Sequence, residues 1–389
     1  MSAAGGFTPP PYPYDRLAEL VELARARFGA DTGDRRGGVV DCSVGTPCDA
    51  PPAGVLEALG GSGAERGYPT ASGSAAYRTA ASDWLGRRFG VEVDPDRELA
   101  ACIGTKEMVA STPHYLHLAD PERDTVLYPA VSYPTYAMGA QLAGCRAVPV
   151  PTRADGASDL AGIDPADAAR ALMLWVNSPA NPTGALDDLD AAAAWGRDSG
   201  VPVFSDECYA EFTWRGRPRS VLESGTAGVV AVHSLSKRSN LAGVRAGFFA
   251  GDRDLVGYLA DVRRHAGMMV PGPVQAAAVA ALADDTHVDV QRERYHRRLE
   301  TLASALGRAD VPAPLPDGGF YLWVAAPPSF EDGWALAAAL AEQAGILTSP
   351  GEFYGPGGRA AVRIAVVQPD DRIDLVCERL AASGLVARG

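Results

Sequence analysis

The chain has 389 residues, 47% apolar and 21% charged, enough for two domains around substantial cores. Its formal charge of -13 and pI near 5.0 disfavour electrostatic association with nucleic acid or an anionic membrane surface, so a small-molecule partner is expected. Only two of the 35 basic residues are lysines, Lys106 and Lys237; arginine cannot shed its proton, so each lysine in so arginine-biased a chain is a candidate nucleophilic amine.

The N-terminus has neither the basic start nor the apolar core of a signal peptide, and no later segment reads as a membrane span, so a cytoplasmic protein is expected. The prolines from Pro9 to Pro13 read as an N-terminal arm. From about residue 98 to 251, apolar runs alternate with helical patterns: 99–103, 125–128, 171–176, 201–205, 229–232 and 246–250. Continuous apolar strands separated by helices predict a mainly parallel sheet covered on both faces, with ligands at the carboxyl ends of its strands. Val270-Pro271-Gly272-Pro273 interrupts the helical pattern and opens a second region, with a helix at 287–308, strand runs at 319–324 and 362–366, and a helix near 332–344. The expected division is an N-terminal arm and part of a small domain over 1–46, a large domain over 47–268 and a small α+β domain over 269–389. Cysteines 42, 48, 102, 145, 208 and 377 lack metal-ligand spacing and read as buried reduced thiols, Cys208 included; no metal site is expected.

The residues at the strand ends carry the chemistry. After the run at 171–176 comes Asn177-Ser178-Pro179-Ala180-Asn181-Pro182-Thr183-Gly184, which on its own could be only a turn. After the next run comes Asp206-Glu207-Cys208-Tyr209, then Ser234-Leu235-Ser236-Lys237, with Arg245 beyond. From Asn181 it is 25 residues to Asp206, three more to Tyr209, 28 to Lys237 and eight to Arg245, and a later strand carries Arg363.

This order and spacing resembles the fold-type I class I and II aminotransferases that use pyridoxal 5'-phosphate, over nearly the whole chain. The resemblance implies an α/β fold whose large domain holds a mainly parallel seven-stranded sheet, with a smaller α+β domain beside it. It implies that Lys237 condenses with the cofactor and later carries the proton between substrate and cofactor, and that Asp206 pairs with the pyridine nitrogen. Asn181 and Tyr209 would bond the phenolic oxygen, and Tyr133 would stack on the ring unless it is simply a core aromatic. Thr105 and Lys106, at a helix start after Gly104, would cradle the phosphate with Ser234 and Arg245. Tyr68 would reach that phosphate from a neighbouring subunit, making a homodimer with shared sites. Arg363 would clamp the substrate α-carboxylate, near Gly45 and Asn181.

Longer stretches, among them Asp41 to Pro47, Val232 to Gly243 and Pro350 to Gly355, are similar to actinobacterial succinyldiaminopimelate transaminases of lysine and diaminopimelate synthesis. That resemblance implies glutamate as donor, 2-oxoglutarate as product and N-succinyl-2-amino-6-oxopimelate as acceptor. Lys106, Arg263 and Arg264 are the candidate cations for distal carboxylates. The alternatives are a backbone-only role for Lys106, solvated arginines, and a packed or surface His265. Another aminotransferase specificity, a β-lyase on the same fold and a regulatory domain remain open at this level.

Overall fold

In the computed structural model, which describes residues 7–30 and 37–385, seven strands join in one sheet. Residues 1–6 and 31–36 of the expected arm region, and 386–389 of the expected small domain, lie outside the described residues. The strands of this sheet are β1 (Leu99–Cys102), β2 (Thr125–Pro129), β3 (Arg146–Val150), β4 (Ala171–Asn177), β5 (Val203–Asp206), β6 (Val229–Ser234) and β7 (Gly247–Gly251). Their order is β1-β7-β6-β5-β4-β2-β3, and all neighbours are parallel except β7, which runs against both β1 and β6. Every residue of β4 and β6 is buried, as a sheet covered on both faces requires. The register sets Asn177 beside Asp206 and Asp206 beside Val232, so β4, β5 and β6 end side by side.

Strand β3 has no counterpart in the sequence reading. It is an edge strand, carries Pro149 and is partly exposed, so it lacks the continuous apolar signal of its neighbours.

A second core lies around the antiparallel strands Ser349–Pro350, Ala361–Ala365 and Tyr321–Ala325, with Val40–Asp41 paired in parallel to Ile346–Leu347. Helices Ala18–Phe28, Thr286–Arg308, Gly333–Ala344 and Asp370–Ala382 supply its other apolar faces. Helix Gly272–Ala283, which the sequence reading assigns to this region, instead packs on helices Ala53–Gly61 and Ala75–Phe89. Its Ala277, Ala278, Ala281 and Leu282 belong to the core under the large sheet. Pro273 stands in its first turn, where proline is tolerated, so the Pro-Gly-Pro segment starts a helix of the first core rather than opening the second. Among the described residues, no helix is long and apolar enough to cross a membrane.

Two helices aim their N-termini at the strand ends: Thr105–Ala119, directly after β1, and Thr135–Leu142, after β2. They cross at Gly139, where a Cβ would stand 2.8 Å from the Val109 carbonyl oxygen and 3.2 Å from that of Ala110. Alanine is favoured over glycine in a helix by about 1 kcal/mol. Overpacking costs about 1–3 kcal/mol, so the contact should win. Gly139→Ala is therefore expected to lower stability in urea unfolding; a more stable variant would show that the two helices are not held at this distance.

Candidate active site

A cavity of about 560 Å³ opens at the ends of β4, β5 and β6, closed on its other side by the strand carrying Arg363 and by Tyr12 and Tyr14 of the arm. Among the described residues, four cations line it, Lys106, Lys237, Arg245 and Arg363, against a single carboxylate, Asp206. Among the described residues, none of the four has an acidic side chain at ion-pair distance.

Lys237 lies in the four-residue helix Leu235–Arg238 that follows β6, where the Ser234 hydroxyl accepts from the Ser236 N–H. Its Nζ donates to the Gly45 carbonyl. Burial lowers its pKa to about 8, with Arg363 and Arg245 adding to the effect against Cys208 and Asp206. A Cβ on Gly45 would overlap the Tyr321 ring, so only glycine lets this backbone approach. Tyr321 in turn holds the Tyr209 hydroxyl at 2.8 Å.

Asp206 ends β5 and is buried. Its Oδ2 accepts from the Tyr136 hydroxyl at 2.8 Å and its Oδ1 from the Cys208 N–H at 3.2 Å. Burial raises its pKa, and the Cys208 thiol, the Tyr136 hydroxyl and the Cys208 N–H oppose that rise. Glu207, one residue on, accepts from the Val221 N–H at 2.8 Å and stands 3.2 Å from the buried His233.

At the opposite wall, Gly104 (φ 70°) precedes the helix Thr105–Ala119. The Arg245 guanidinium lies against it so closely that any Cβ would overlap. Arg245 itself adopts φ 61°, a region that non-glycine residues seldom occupy and that costs of order 1 kcal/mol or more. Its Nη1 donates to the Ala242 carbonyl at 2.8 Å and to the Ser236 hydroxyl at 3.4 Å. With Thr105 and Ser234 on the same cavity wall, this corner offers a helix N-terminus, hydroxyls and a guanidinium to an anion.

Arg363 is buried, with Nη1 donating to Asn181 Oδ1 at 2.8 Å and Nη2 to the Ser43 carbonyl at 2.5 Å and the Tyr14 hydroxyl at 3.2 Å. Its carbon centre sits 4.1 Å from the Tyr321 ring centroid and 4.8 Å from that of Tyr354. Its Nε is buried without a partner. Asn181 and Tyr133 line the same cavity, and Tyr133 stands edge-on to Tyr136.

Two expectations need correction, for Arg263 and for the cysteines. Lys106 is exposed, with its Nζ 3.4 Å from the Tyr12 hydroxyl and 5.0 Å from that ring's centroid, at the mouth of the cavity. Arg263 is neither solvated nor directed at the cavity. It is 1% exposed and grips Glu107 through two bonds of 2.9 and 2.5 Å, while Glu107 accepts from the Ile103 N–H and so fixes the turn that presents Thr105. Arg264 and His265 are exposed and do not line the cavity. Cys208 is more than packing, since it lines the cavity and its thiol donates to Thr105 Oγ1 at 3.2 Å; Cys42, Cys102 and Cys145 are the buried thiols, and Cys48 is exposed.

Tyr68 is 99% exposed and lies outside this cavity in the single chain. The sequence reading misses Tyr12, Tyr14, Tyr136, Ser236 and Tyr321, all on the cavity wall. Ser236 sits inside the Ser234-Leu235-Ser236-Lys237 motif and Tyr136 stands three residues after Tyr133, so proximity to these was the available signal. Tyr12, Tyr14 and Tyr321 arrive from distant parts of the chain.

The family model for aminotransferase class I and II matches residues 38–380. A probable aminotransferase of Mycobacterium tuberculosis is 43% identical over 379 residues, covering 95% of this chain and 85% of that protein. The 4-dedimethylamino-4-oxo-anhydrotetracycline transaminase OxyQ of Streptomyces rimosus is 42% identical over 379 residues, covering 95% of this chain and 99% of its own. Among solved structures, a probable N-succinyldiaminopimelate aminotransferase of Thermus thermophilus superposes with a TM-score of 0.83 at 30% identity, covering 95% of this chain and 99% of that one.

Because the chain has only two lysines, their titrations can be separated by pH-dependent acylation of the apoprotein with peptide mass mapping. Lys237 should become reactive around pH 8, because a lowered pKa exposes the free amine at lower pH. Burial works against the charge of Lys106, but Tyr133 and Tyr12 outweigh it and hold its pKa above the ordinary 10.5, so it should label only at higher pH. Coincident titration of both near 10.5 would contradict the description of the cavity.

Proposed function

The chain belongs to the class I and II aminotransferases, which depend on pyridoxal 5'-phosphate, and on that footing we propose that it transfers the amino group of glutamate to N-succinyl-2-amino-6-oxopimelate, releasing 2-oxoglutarate. The observation that carries this reading is the surplus of cations in the cavity. A cofactor phosphate at Arg245 and an α-carboxylate at Arg363 leave Lys106, at the mouth, for a second carboxylate of the substrate. The likeness to the Thermus thermophilus protein supports the same substrate class.

The residues present fit the cofactor. Gly104 leaves room for Arg245 where a Cβ would fill the corner, and the helix N-terminus behind it suits a dianionic phosphate. Among the described residues that line the cavity, Asp206 is the one carboxylate available to a pyridine nitrogen. Asn181 spends its Oδ1 on Arg363, which leaves its Nδ2 as a donor to a phenolate beside Tyr209. Tyr133 lines the same space, where its ring is available to stack on the cofactor. When bound, the cofactor supplies an electron-withdrawing ring that stabilises negative charge at the substrate α-carbon.

The chain's own groups do the rest. Lys237, with its pKa brought down to about 8, is available as a neutral amine to bind the cofactor and then to take and return the α-proton. Arg363 binds the α-carboxylate through its planar fork, and its unpartnered Nε provides a further donor on that guanidinium. Gly45 keeps the backbone next to Lys237 without a side chain in the way. In this reading Tyr68, fully exposed on one copy, serves the phosphate of a second, so that the working unit is a homodimer.

A second specificity, for a polycyclic ketone in specialised metabolism, is favoured by the 42% identity to OxyQ over 99% of that protein. A panel of amino donors with the succinylated 6-oxo acid and with fused-ring ketones separates the two. The first reading expects the succinylated acid to have the highest kcat/KM. It also expects Lys106→Ala to lower that value about tenfold, the scale of one lost charged hydrogen bond, while sparing a substrate without a distal carboxylate. Equal kcat/KM for wild type and variant, or preference for the fused-ring ketone, would overturn it.

A further inference from the structure

Asp206 faces a difficulty that its position creates. It lies in the interior of the protein, where burial favours the neutral acid, yet a carboxylate that is to hold a pyridine nitrogen in its protonated form must stay charged. Hydrogen bonds to the charged form are the remedy open to it: the Cys208 thiol and the Tyr136 hydroxyl both favour the carboxylate, with the Cys208 N–H beside them. The Tyr136 hydroxyl stands 2.8 Å from Oδ2 and the Cys208 N–H 3.2 Å from Oδ1.

Tyr136 is fully buried, and its hydroxyl has Asp206 as its hydrogen-bond partner. Its ring is clamped from two sides: stacked on Trp175, with centroids 5.4 Å apart and planes at 29°, and met edge-on by Tyr133 at 6.1 Å. Trp175 is also fully buried and lies on the strand adjacent to the one that bears Asp206, so the phenol is aimed by the sheet itself. Burial also pushes the Tyr136 pKa well above its ordinary value, and Asp206 adds to the effect, which keeps the hydroxyl a donor throughout the working pH range. Nothing in this arrangement depends on substrate.

We propose that Tyr136 is a positioning residue that, through its hydrogen bond to Oδ2, keeps Asp206 ionised and oriented toward the cofactor ring. The proposal rests on the reading of Asp206 as the partner of that ring. It assigns to Tyr136 no contact with substrate and no proton transfer. Its effect is on how tightly the cofactor is held and on how far its nitrogen remains protonated.

The test compares wild type, Tyr136→Phe, Asp206→Asn and the double variant, reading pyridoxal 5'-phosphate affinity of each apoprotein by fluorescence titration and the absorbance spectrum of the bound cofactor. Phenylalanine keeps the ring and its stack on Trp175 and removes only the donor. The expected result is a loss of affinity of about tenfold or more in Tyr136→Phe, the scale of one hydrogen bond to a charged group, with an altered cofactor spectrum. Asp206→Asn should lose at least as much, and adding Tyr136→Phe to it should cost little more, because no charge remains to be held. Thermal unfolding of the four apoproteins identifies any variant that is merely unfolded, and Tyr136→His, which retains a ring N–H donor, then supplies the comparison. Wild-type affinity and spectrum in folded Tyr136→Phe, alongside a loss in Asp206→Asn, would overturn the proposal alone. An unaffected Asp206→Asn would overturn the reading of Asp206 on which it stands.

Discussion

The dominant constraint on this molecule is the gathering of four cationic side chains around one cavity with a single carboxylate among them. Like charges at such separations repel, and the low effective dielectric of a cavity wall screens them less than water would. The arginines cannot relieve the repulsion by losing a proton, so they are held by neutral acceptors: Arg363 by a carbonyl, an amide oxygen and tyrosine rings, Arg245 by a carbonyl and a hydroxyl. Lys237 can lose its proton: burial brings its pKa down to about 8, and Arg363 and Arg245 add to the effect. The surplus of cations makes the cavity receptive to a phosphate and carboxylates. Burial and the cation surplus thus account together for the reactive amine and the polyanionic ligands.

Backbone geometry makes that gathering possible. The parallel register brings Asn177, Asp206 and Ser234 to one edge, and the turns beyond them deliver Asn181, Tyr209 and Lys237. Two close approaches then set the walls: Gly104 against the Arg245 guanidinium, and Gly45 against Tyr321. Arg245 holds a left-handed backbone conformation to make the first of these, a strain the surrounding contacts must sustain. Around this inner layer the Arg263–Glu107 pair fastens the helix start, and the arm lays Tyr12 and Tyr14 across the opening.

Much of this was legible in the sequence, for identifiable reasons. Strands buried on both faces leave continuous apolar runs, so six of the seven strands of the sheet and the chemical residues at their ends stood out; the edge strand with Pro149 did not. Asn181, Asp206, Tyr209 and Lys237 could be gathered from their spacing because each ends its strand or follows it within a few residues, and Arg245 stands just before β7. Tyr136 was passed over because a buried phenol in a helix looks the same in sequence whether it packs or donates. Arg263 was misassigned because sequence cannot tell an arginine paired under a helix from one in solvent. The prolines at 271 and 273 read as a boundary, though proline in a first helical turn begins an element as readily as it ends one. Tyr12, Tyr14 and Tyr321 reach the cavity only through tertiary contacts that no local pattern encodes.

The claim on which everything else turns is that Lys237, rather than Lys106, is the amine that holds the cofactor. Borohydride reduction of the purified holoprotein, followed by peptide mass mapping, tests it directly, since reduction fixes the cofactor to whichever amine carries it. The expected result is a phosphopyridoxyl group on the peptide containing Lys237 and none on that containing Lys106. A label on Lys106, or a holoprotein that retains its bound cofactor and yields no labelled lysine, would contradict it.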